Sequence, residues 1–330
     1  MKLLRLALDN FRGAPNGEYA FTHPTTGTPL DTIYVTGPAA SGKTTFLEAI
    51  AALKESVGAY GLGPNPARLL RRGARSGRVT GTWQLTPGEM ARAEAKQATV
   101  EAKLDLGEGL APDLADAGLR ALFEGYSHDS ALGKFEYFPA NRRLSPGDGA
   151  KPLPLALEAG LRLRASPEKY ACIRQALLDL ALADGVGTVQ EAKARGVLLK
   201  RDTRDSLAPY RADLAELAPG IRLGGVEMRG DDPELFFERP DGGRLVLDDL
   251  SDSEKQAILF CVTYRRIGLS HSLVLIDQPE LYLHADVQLR FMRALGRLGT
   301  DNQTFVATGS IEITRTATPH EIINLRREAT

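Results

Sequence analysis

Cysteine is almost missing from this sequence: Cys172 and Cys261 are the only two in 330 residues, far apart and without C-x-x-C spacing. Their scarcity argues against a disulfide framework or a cysteine-based zinc site and fits a reducing compartment, with both thiols read as buried apolar residues. Long hydrophobic runs are missing too. No stretch reaches the roughly 18 apolar residues of a membrane span, and the apolar run in Met1–Leu8 is too short for a signal peptide. No membrane partner and a cytoplasmic location are therefore expected. Neither sign of charge is in excess: 41 Lys and Arg stand against 42 Asp and Glu, a formal net charge of −1. No overall field draws such a chain onto nucleic acid or an acidic surface, so any polyanion contact must be local. With 43% hydrophobic and 25% charged residues, the composition is that of an ordinary globular chain of one large or two smaller domains.

What is present is a pattern. Gly37-Pro38-Ala39-Ala40-Ser41-Gly42-Lys43-Thr44 matches G-x-x-x-x-G-K-[ST]. A β-branched strand, Thr32–Thr36, precedes it, and Phe46, Leu47, Ile50 and Leu53 follow at helical spacing from Thr45 onward. A loop joining a strand end to a helix N-terminus is an anion site. Its backbone N–H groups can wrap a phosphate, the helix dipole favours the charge, Lys43 can reach the β- and γ-phosphates, and the Thr44 hydroxyl can ligate Mg²⁺. The expected cofactors are ATP and Mg²⁺.

Three further segments stand in order behind it. Leu250-Ser251-Asp252-Ser253-Glu254-Lys255-Gln256 opens a helix whose apolar side is Ile258, Leu259, Val262 and Ile267. Ser272–Ile276 is an apolar run ending in Asp277, as in a buried parallel strand with a carboxylate at its C-terminal end. It continues Gln278-Pro279-Glu280-Leu281-Tyr282-Leu283-His284. Gln303–Thr308 is another core strand, followed by Gly309-Ser310-Ile311-Glu312.

Together these segments resemble the ABC-type, AAA-family ATPase heads of the RecF, SMC and OLD kind. The likeness covers the first 55 residues and about residues 225–325. Leu3–Leu8 and Glu18–Thr22, joined through Asn10-Phe11-Arg12-Gly13, resemble the leading β-hairpin of those heads. The resemblance implies an α/β P-loop fold with a mostly parallel core sheet, an antiparallel β-lobe and a helical insertion. It implies that Asp277 holds the Mg²⁺ shell and that Ser251 and the following helix N-terminus bind the γ-phosphate held by an opposite subunit. The family's signature glycine is Ser253 here, which can still offer a backbone N–H. Pairing would be head to tail around two nucleotides, as a homo-oligomer that drives a separate effector in DNA repair or anti-phage defence. Two departures bear on hydrolysis. Gln278 stands where the family has its general base Glu, and Gly309 stands where a His contacts the γ-phosphate. A Gln can hold a water but cannot take its proton. Three readings stay open: Glu280 is the base, turnover is very slow, or Gln278 replaces a natural Glu by engineering. The catalytic candidates are thus Asp277, Gln278 and Glu280. The alternatives are a non-hydrolysing ATP-dependent scaffold and a DNA-binding repair ATPase.

The division expected is 1–144 for the first half of the head, 145–220 for the helical insertion and 221–330 for the second half. Within the first, Arg68, Arg71, Arg72, Arg75 and Arg78 form a strip, read either as a solvated rim or as a contact for a phosphate backbone. The alternating segments Val79–Leu85 and Thr99–Leu106 extend the antiparallel lobe. Thr86–Glu89 has capping-box form and opens a helix to about Ala98. Further helices are expected over 112–125, 167–182, 189–195 and 206–217, the last three without heptads. Phe135–Phe138 reads as a strand, with Asn141 a weak candidate at its end, and residues 222–247 as a three-stranded meander.

Overall fold

A computed structural model describes residues 1–107, 117–125, 132–144, 155–182, 205–229 and 232–326. The strands are β1 (Lys2–Asp9), β2 (Gly17–Ala20), β3 (Thr32–Thr36), β4 (Gly77–Gln84), β5 (Thr99–Leu106), β6 (Phe135–Phe138), β7 (Arg222–Arg229), β8 (Asp232–Glu238), β9 (Arg244–Val246), β10 (Leu273–Asp277), β11 (Gln303–Ala307) and β12 (Ile322–Asn324). The unbroken apolar run before Asp277 becomes a central strand, β10, whereas β6, which carries Glu136, lies at the edge of the sheet. Every residue of β6 and β10 is buried, and both lie in a parallel sheet of order β12-β3-β11-β10-β6. Runs buried on both faces are what a parallel sheet covered on both sides requires. The alternating strands form a second, antiparallel sheet of order β2-β1-β4-β5, with β4 burying Val79, Gly81 and Trp83 and turning Arg78 and Gln84 out. The meander β7-β8-β9 is a third, separate antiparallel sheet.

The helix Lys43–Val57 lies between the first two sheets, touching β3, β10 and β11 as well as β4 and β5. That placement explains why it is buried nearly all round, through Phe46, Leu47, Ala49, Ile50, Leu53 and Val57. Phe46 meets Tyr19 edge-on at 4.9 Å between ring centroids, clamping the leading hairpin to the helix. Across the parallel sheet, the helix Asp252–Ile267 buries nine consecutive residues from Gln256 to Tyr264. Phe138 at the end of β6 stacks on Phe260 of that helix at 4.4 Å.

Residues 155–182 dock onto this assembly through apolar side chains, with Tyr170, Ile173 and Leu177 joining the core around Phe138 and Phe260, and through buried charged groups. Lys169 pairs with Glu136 of β6 at 2.5 Å, both buried, and Arg266 of the helix Asp252–Ile267 forks onto Glu158. Burial pushes the Glu136 carboxyl up and the Lys169 ammonium down, each against the pull of its partner.

Differences from the sequence expectation fall at element ends. The helix opened by the Thr86 capping box stops at Ala93, because Glu94 takes a left-handed conformation at φ 51°. The expected 167–182 helix is a 3₁₀ turn, Pro167–Tyr170, followed by a separate helix over 173–182. Of the helix expected over 112–125, Ala117–Gly125 is helical and 112–116 lie outside the described residues, while the helix expected over 206–217 is Ala208–Leu217. The 189–195 helix and the basic residues Lys193, Arg195, Lys200, Arg201 and Arg204 lie outside the described residues. Among the described residues no helix is long and apolar enough to cross a membrane.

Phe138 is fully buried where the sheet meets the helix Asp252–Ile267. Phe138→Ala is expected to destabilise the chain by about 3–5 kcal/mol, measured by denaturant unfolding. A loss below about 1 kcal/mol would show that the two layers do not depend on this contact.

Candidate nucleotide site

The carboxyl ends of β3, β11, β10 and β6 converge, as they must in a parallel sheet, and the candidate residues sit on the turns that leave them. After β3, three residues of the loop have positive φ: Gly37 at 145°, Ala40 at 58° and Gly42 at 93°. A side chain at Gly37 would come within 2.5 Å of the Leu325 carbonyl, and one at Gly42 within 2.7 Å of the Gly13 carbonyl. Both positions therefore require glycine, and the leading hairpin forms one wall of the loop. Ala40 holds a left-handed conformation without that freedom, a local strain of about 1–3 kcal/mol. Gly42 caps the helix Lys43–Val57 with no side-chain hydrogen bond to its first N–H groups, so the positive end of the helix is offered to an anion. Pro38, Ala39 and Ala40 are exposed at the rim, Thr45 is half-buried, and Ser41 is buried with its hydroxyl unpartnered among the described residues. The Lys43 ammonium rests on the carbonyls of Gly37 and Pro38, 2.9 Å from each.

Thr44 Oγ1 donates to Asp277 Oδ2 at 2.8 Å. Asp277 is 1% exposed, and its other oxygen, Oδ1, has no hydrogen-bond partner among the described residues. Burial pushes the Asp277 carboxyl up to about 6, although the Thr44 bond and the nearby Arg142 guanidinium favour its charged form. Burial also raises the Tyr137 phenol, with Asp277 and Glu48 beside it adding to the effect.

Gln278 leaves β10 in a left-handed conformation at φ 49°. Its N–H donates to the Ala307 carbonyl of β11 at 2.8 Å, and its carbonyl accepts from Arg142 at 3.0 Å. Glu280 turns back toward β11: Thr308 Oγ1 donates to Oε2 at 2.8 Å and the Gly309 N–H to Oε1 at 2.9 Å. The Glu280 carboxylate is thus engaged at both oxygens with the segment that follows β11.

The segment after β6 holds a residue that sequence reasoning passed over. Asn141 is exposed and reaches only the Ala165 carbonyl, at 3.4 Å. Its neighbour Arg142 is fully buried and donates to Gln256, Pro139, Asp277 and Gln278.

Ser251 is the N-cap of the helix Asp252–Ile267, in a reciprocal capping box with Glu254. Its hydroxyl donates to Glu254 Oε2 at 2.8 Å, and Ser253 is half-buried in the first turn. The arginine strip divides. Arg71 turns inward onto the carbonyls of Arg12 and Ala14, bracing the hairpin turn that walls the loop, and Arg78 pairs with Asp105 at 2.5 Å. Arg68, Arg72 and Arg75 are exposed. His284 is exposed and pairs with Asp286 at 2.6 Å. Cys172 and Cys261 are both free and buried.

The residues fit a magnesium nucleotide. Two hard oxygen donors, Thr44 Oγ1 and Asp277 Oδ2, stand 2.8 Å apart, close to the spacing of adjacent corners in an octahedron with bonds of about 2.1 Å. The buried, unpartnered Asp277 Oδ1 and Ser41 hydroxyl are the kind of polar atoms that a bound group satisfies.

A family model described as "AAA domain, putative AbiEii toxin, Type IV TA system" matches residues 160–314. Among solved structures, an SMC head bound to the C-terminal winged-helix domain of ScpA aligns over 98% of this chain and 94% of its own, at 13% identity and a TM-score of 0.56. A Pyrococcus furiosus SMC head with an extended coiled coil, bound to the C-terminal domain of ScpA, aligns over the same shares at 12% identity and a TM-score of 0.50. At these identities the likeness shows the fold alone: this chain has the α/β fold of the SMC heads, a parallel sheet beside an antiparallel one. No match was found among curated proteins.

Because the Asp277 carboxyl is held above its ordinary 3.8, folding favours its protonated form. The resulting penalty is complete above pH 6 and vanishes as the pH falls below 3.8. Asp277→Asn should therefore stabilise the nucleotide-free chain at pH 8 by up to about 3 kcal/mol, with the gain shrinking as the pH falls from 6 toward 4. Denaturant unfolding across that range checks it; a pH-independent gain would contradict the electrostatic origin.

Proposed function

We propose that this P-loop ATPase head binds ATP and Mg²⁺ at the loop 37–45, pairs with a second copy around the nucleotide, and controls a separate effector while turning ATP over slowly. The observation that carries the reading is the pairing of half-buried Thr44, in the first turn of a helix without a side-chain cap, with the buried carboxylate of Asp277. The backbone N–H groups of residues 38–44 would hold the phosphates, and Lys43 would leave the Gly37 and Pro38 carbonyls to meet them. Thr44 and Asp277 would hold Mg²⁺, whose charge, when bound, offsets that of the phosphate oxygens. Ser251 and Ser253 would offer hydroxyl and N–H to the nucleotide of the partner copy, Ser251 giving up its bond to Glu254 to do so. The division into two half-heads, 1–144 and 221–330, around an insertion at 145–220 belongs to the same reading.

Slow turnover follows from what surrounds the expected water. Gln278 can orient a water but has no basic site for its proton. Glu280 has one, yet both its oxygens accept hydrogen bonds from Thr308 and Gly309, which suits an anchor for the segment after β11 better than a free base. The effector is the most distant step. The family description that names a type IV toxin system supports a role in defence, and the SMC heads above were solved with a bound partner. We read this chain as a nucleotide-gated switch of that kind.

Steady-state hydrolysis of Mg-ATP by the purified chain tests the assignment. Gln278→Glu is expected to raise turnover by about 10²–10⁴-fold, the usual contribution of a positioned base, while Glu280→Gln changes it less than Lys43→Ala does. Abolition of turnover by Glu280→Gln, with no gain from Gln278→Glu, would make Glu280 the base.

A further inference from the structure

The guanidinium of Arg142 is fully buried, and it is spent on three segments that share no neighbouring sequence. Nε donates to Gln256 Oε1 at 2.7 Å, Nη1 to the carbonyls of Asp277 at 2.7 Å and Pro139 at 3.1 Å, and Nη2 to the carbonyl of Gln278 at 3.0 Å. Gln256 returns a bond from Nε2 to the Arg142 carbonyl at 3.4 Å, and the guanidinium lies 5.1 Å from the centroid of Phe260 on the same helix. A planar fork with donors in fixed directions holds its acceptors in one relative geometry, which a flexible ammonium would not do. Buried away from water, it also cannot release one acceptor without leaving a donor unpaired.

The acceptors matter individually. The carbonyls of Asp277 and Gln278 flank the left-handed turn that sets where both side chains leave β10. Gln256 lies five residues beyond Ser251, on the first turns of the helix that Ser251 caps. One side chain therefore ties the backbone of the candidate Mg²⁺ carboxylate to the helix whose N-terminus would, in the proposed pair, face the partner's nucleotide.

We propose that Arg142 is a positioning residue, a strut through which nucleotide binding at Asp277 moves the helix beginning at Asp252, and that Gln256 is its joint on that helix. This rests on the nucleotide reading given above. It predicts that the Arg142–Gln256 link can be broken with the turn at Asp277 still held, because the bonds to Pro139, Asp277 and Gln278 come from the other two guanidinium nitrogens. A Glu at 256 would keep the link, since a carboxylate accepts the same Nε–H with charge assistance.

Amide hydrogen exchange on the full chain, with and without Mg-ATP, tests this alongside the nucleotide affinity from fluorescent-ATP titration. In the unaltered chain Mg-ATP should slow exchange at least threefold over both 278–283 and 251–257. Gln256→Met, which matches the side chain in length, should keep the affinity within about threefold and the slowing over 278–283 but lose it over 251–257; Gln256→Glu should restore it. A Gln256→Met chain that still transmits the slowing, or a Gln256→Glu chain that does not regain it, overturns the strut. If Gln256→Met lowers affinity and protection everywhere and Gln256→Glu does the same, the residue is merely structural and the proposal is wrong. An unaltered chain with no affinity for Mg-ATP overturns the nucleotide reading itself, and the strut with it.

Discussion

The hydrogen bond between Thr44 and Asp277 joins residues 233 positions apart, and the rest of the fold is arranged to make it possible. Thr44 stands in the first turn of a helix that must start at the end of β3, and Asp277 must end β10, two strands away across β11. The two come together only if β3, β11 and β10 run parallel and in register. That requires strands buried on both faces, and so layers on either side of the sheet. The lobe of β1, β2, β4 and β5 supplies one layer by way of the helix Lys43–Val57, and the helix Asp252–Ile267 supplies another. The sheet exists to hold an oxygen pair at the end of it.

Keeping that pair dry has a cost. Burial holds the Asp277 carboxylate, one oxygen of which has no partner among the described residues, partly toward its protonated form, and Ala40 and Gln278 carry left-handed backbone that non-glycine residues adopt reluctantly. Strain and desolvation are gathered at one place, with glycines where a Cβ would strike a carbonyl, and they support the proposed binding site. The surrounding groups compensate: Arg71 braces the hairpin turn beside Gly42, and Arg142 braces the turn beyond Asp277. Each is an arginine satisfying main-chain carbonyls near a loop under strain.

The contrast between what could and could not be read from the sequence follows from this. The loop 37–44, the strand 272–277 and the helix capped by Ser251 were legible because each signal is local: fixed glycine spacing, an unbroken apolar run, a capping residue three before a Glu. The lobe strands were legible from their alternation. Arg142 was not, because three of its four partners lie 114 to 136 positions away and three of the four are backbone carbonyls, which leave no mark in the sequence. The surface reading of the arginine strip failed at Arg71 for the same reason. Helix ends at Ala93 and at 171–172 were missed because no glycine or proline announces them.

The central claim is that Thr44, Asp277 and the loop 37–44 make a single magnesium-nucleotide site. Calorimetric titration of the purified chain with ATP, in the presence of Mg²⁺ and again with Mg²⁺ chelated, tests it most directly. The account predicts binding that weakens at least tenfold on chelation in the unaltered chain, is insensitive to Mg²⁺ in Asp277→Ala, and disappears in Lys43→Ala. Affinity that ignores Mg²⁺ in the unaltered chain, or survives unchanged in Lys43→Ala, would contradict it.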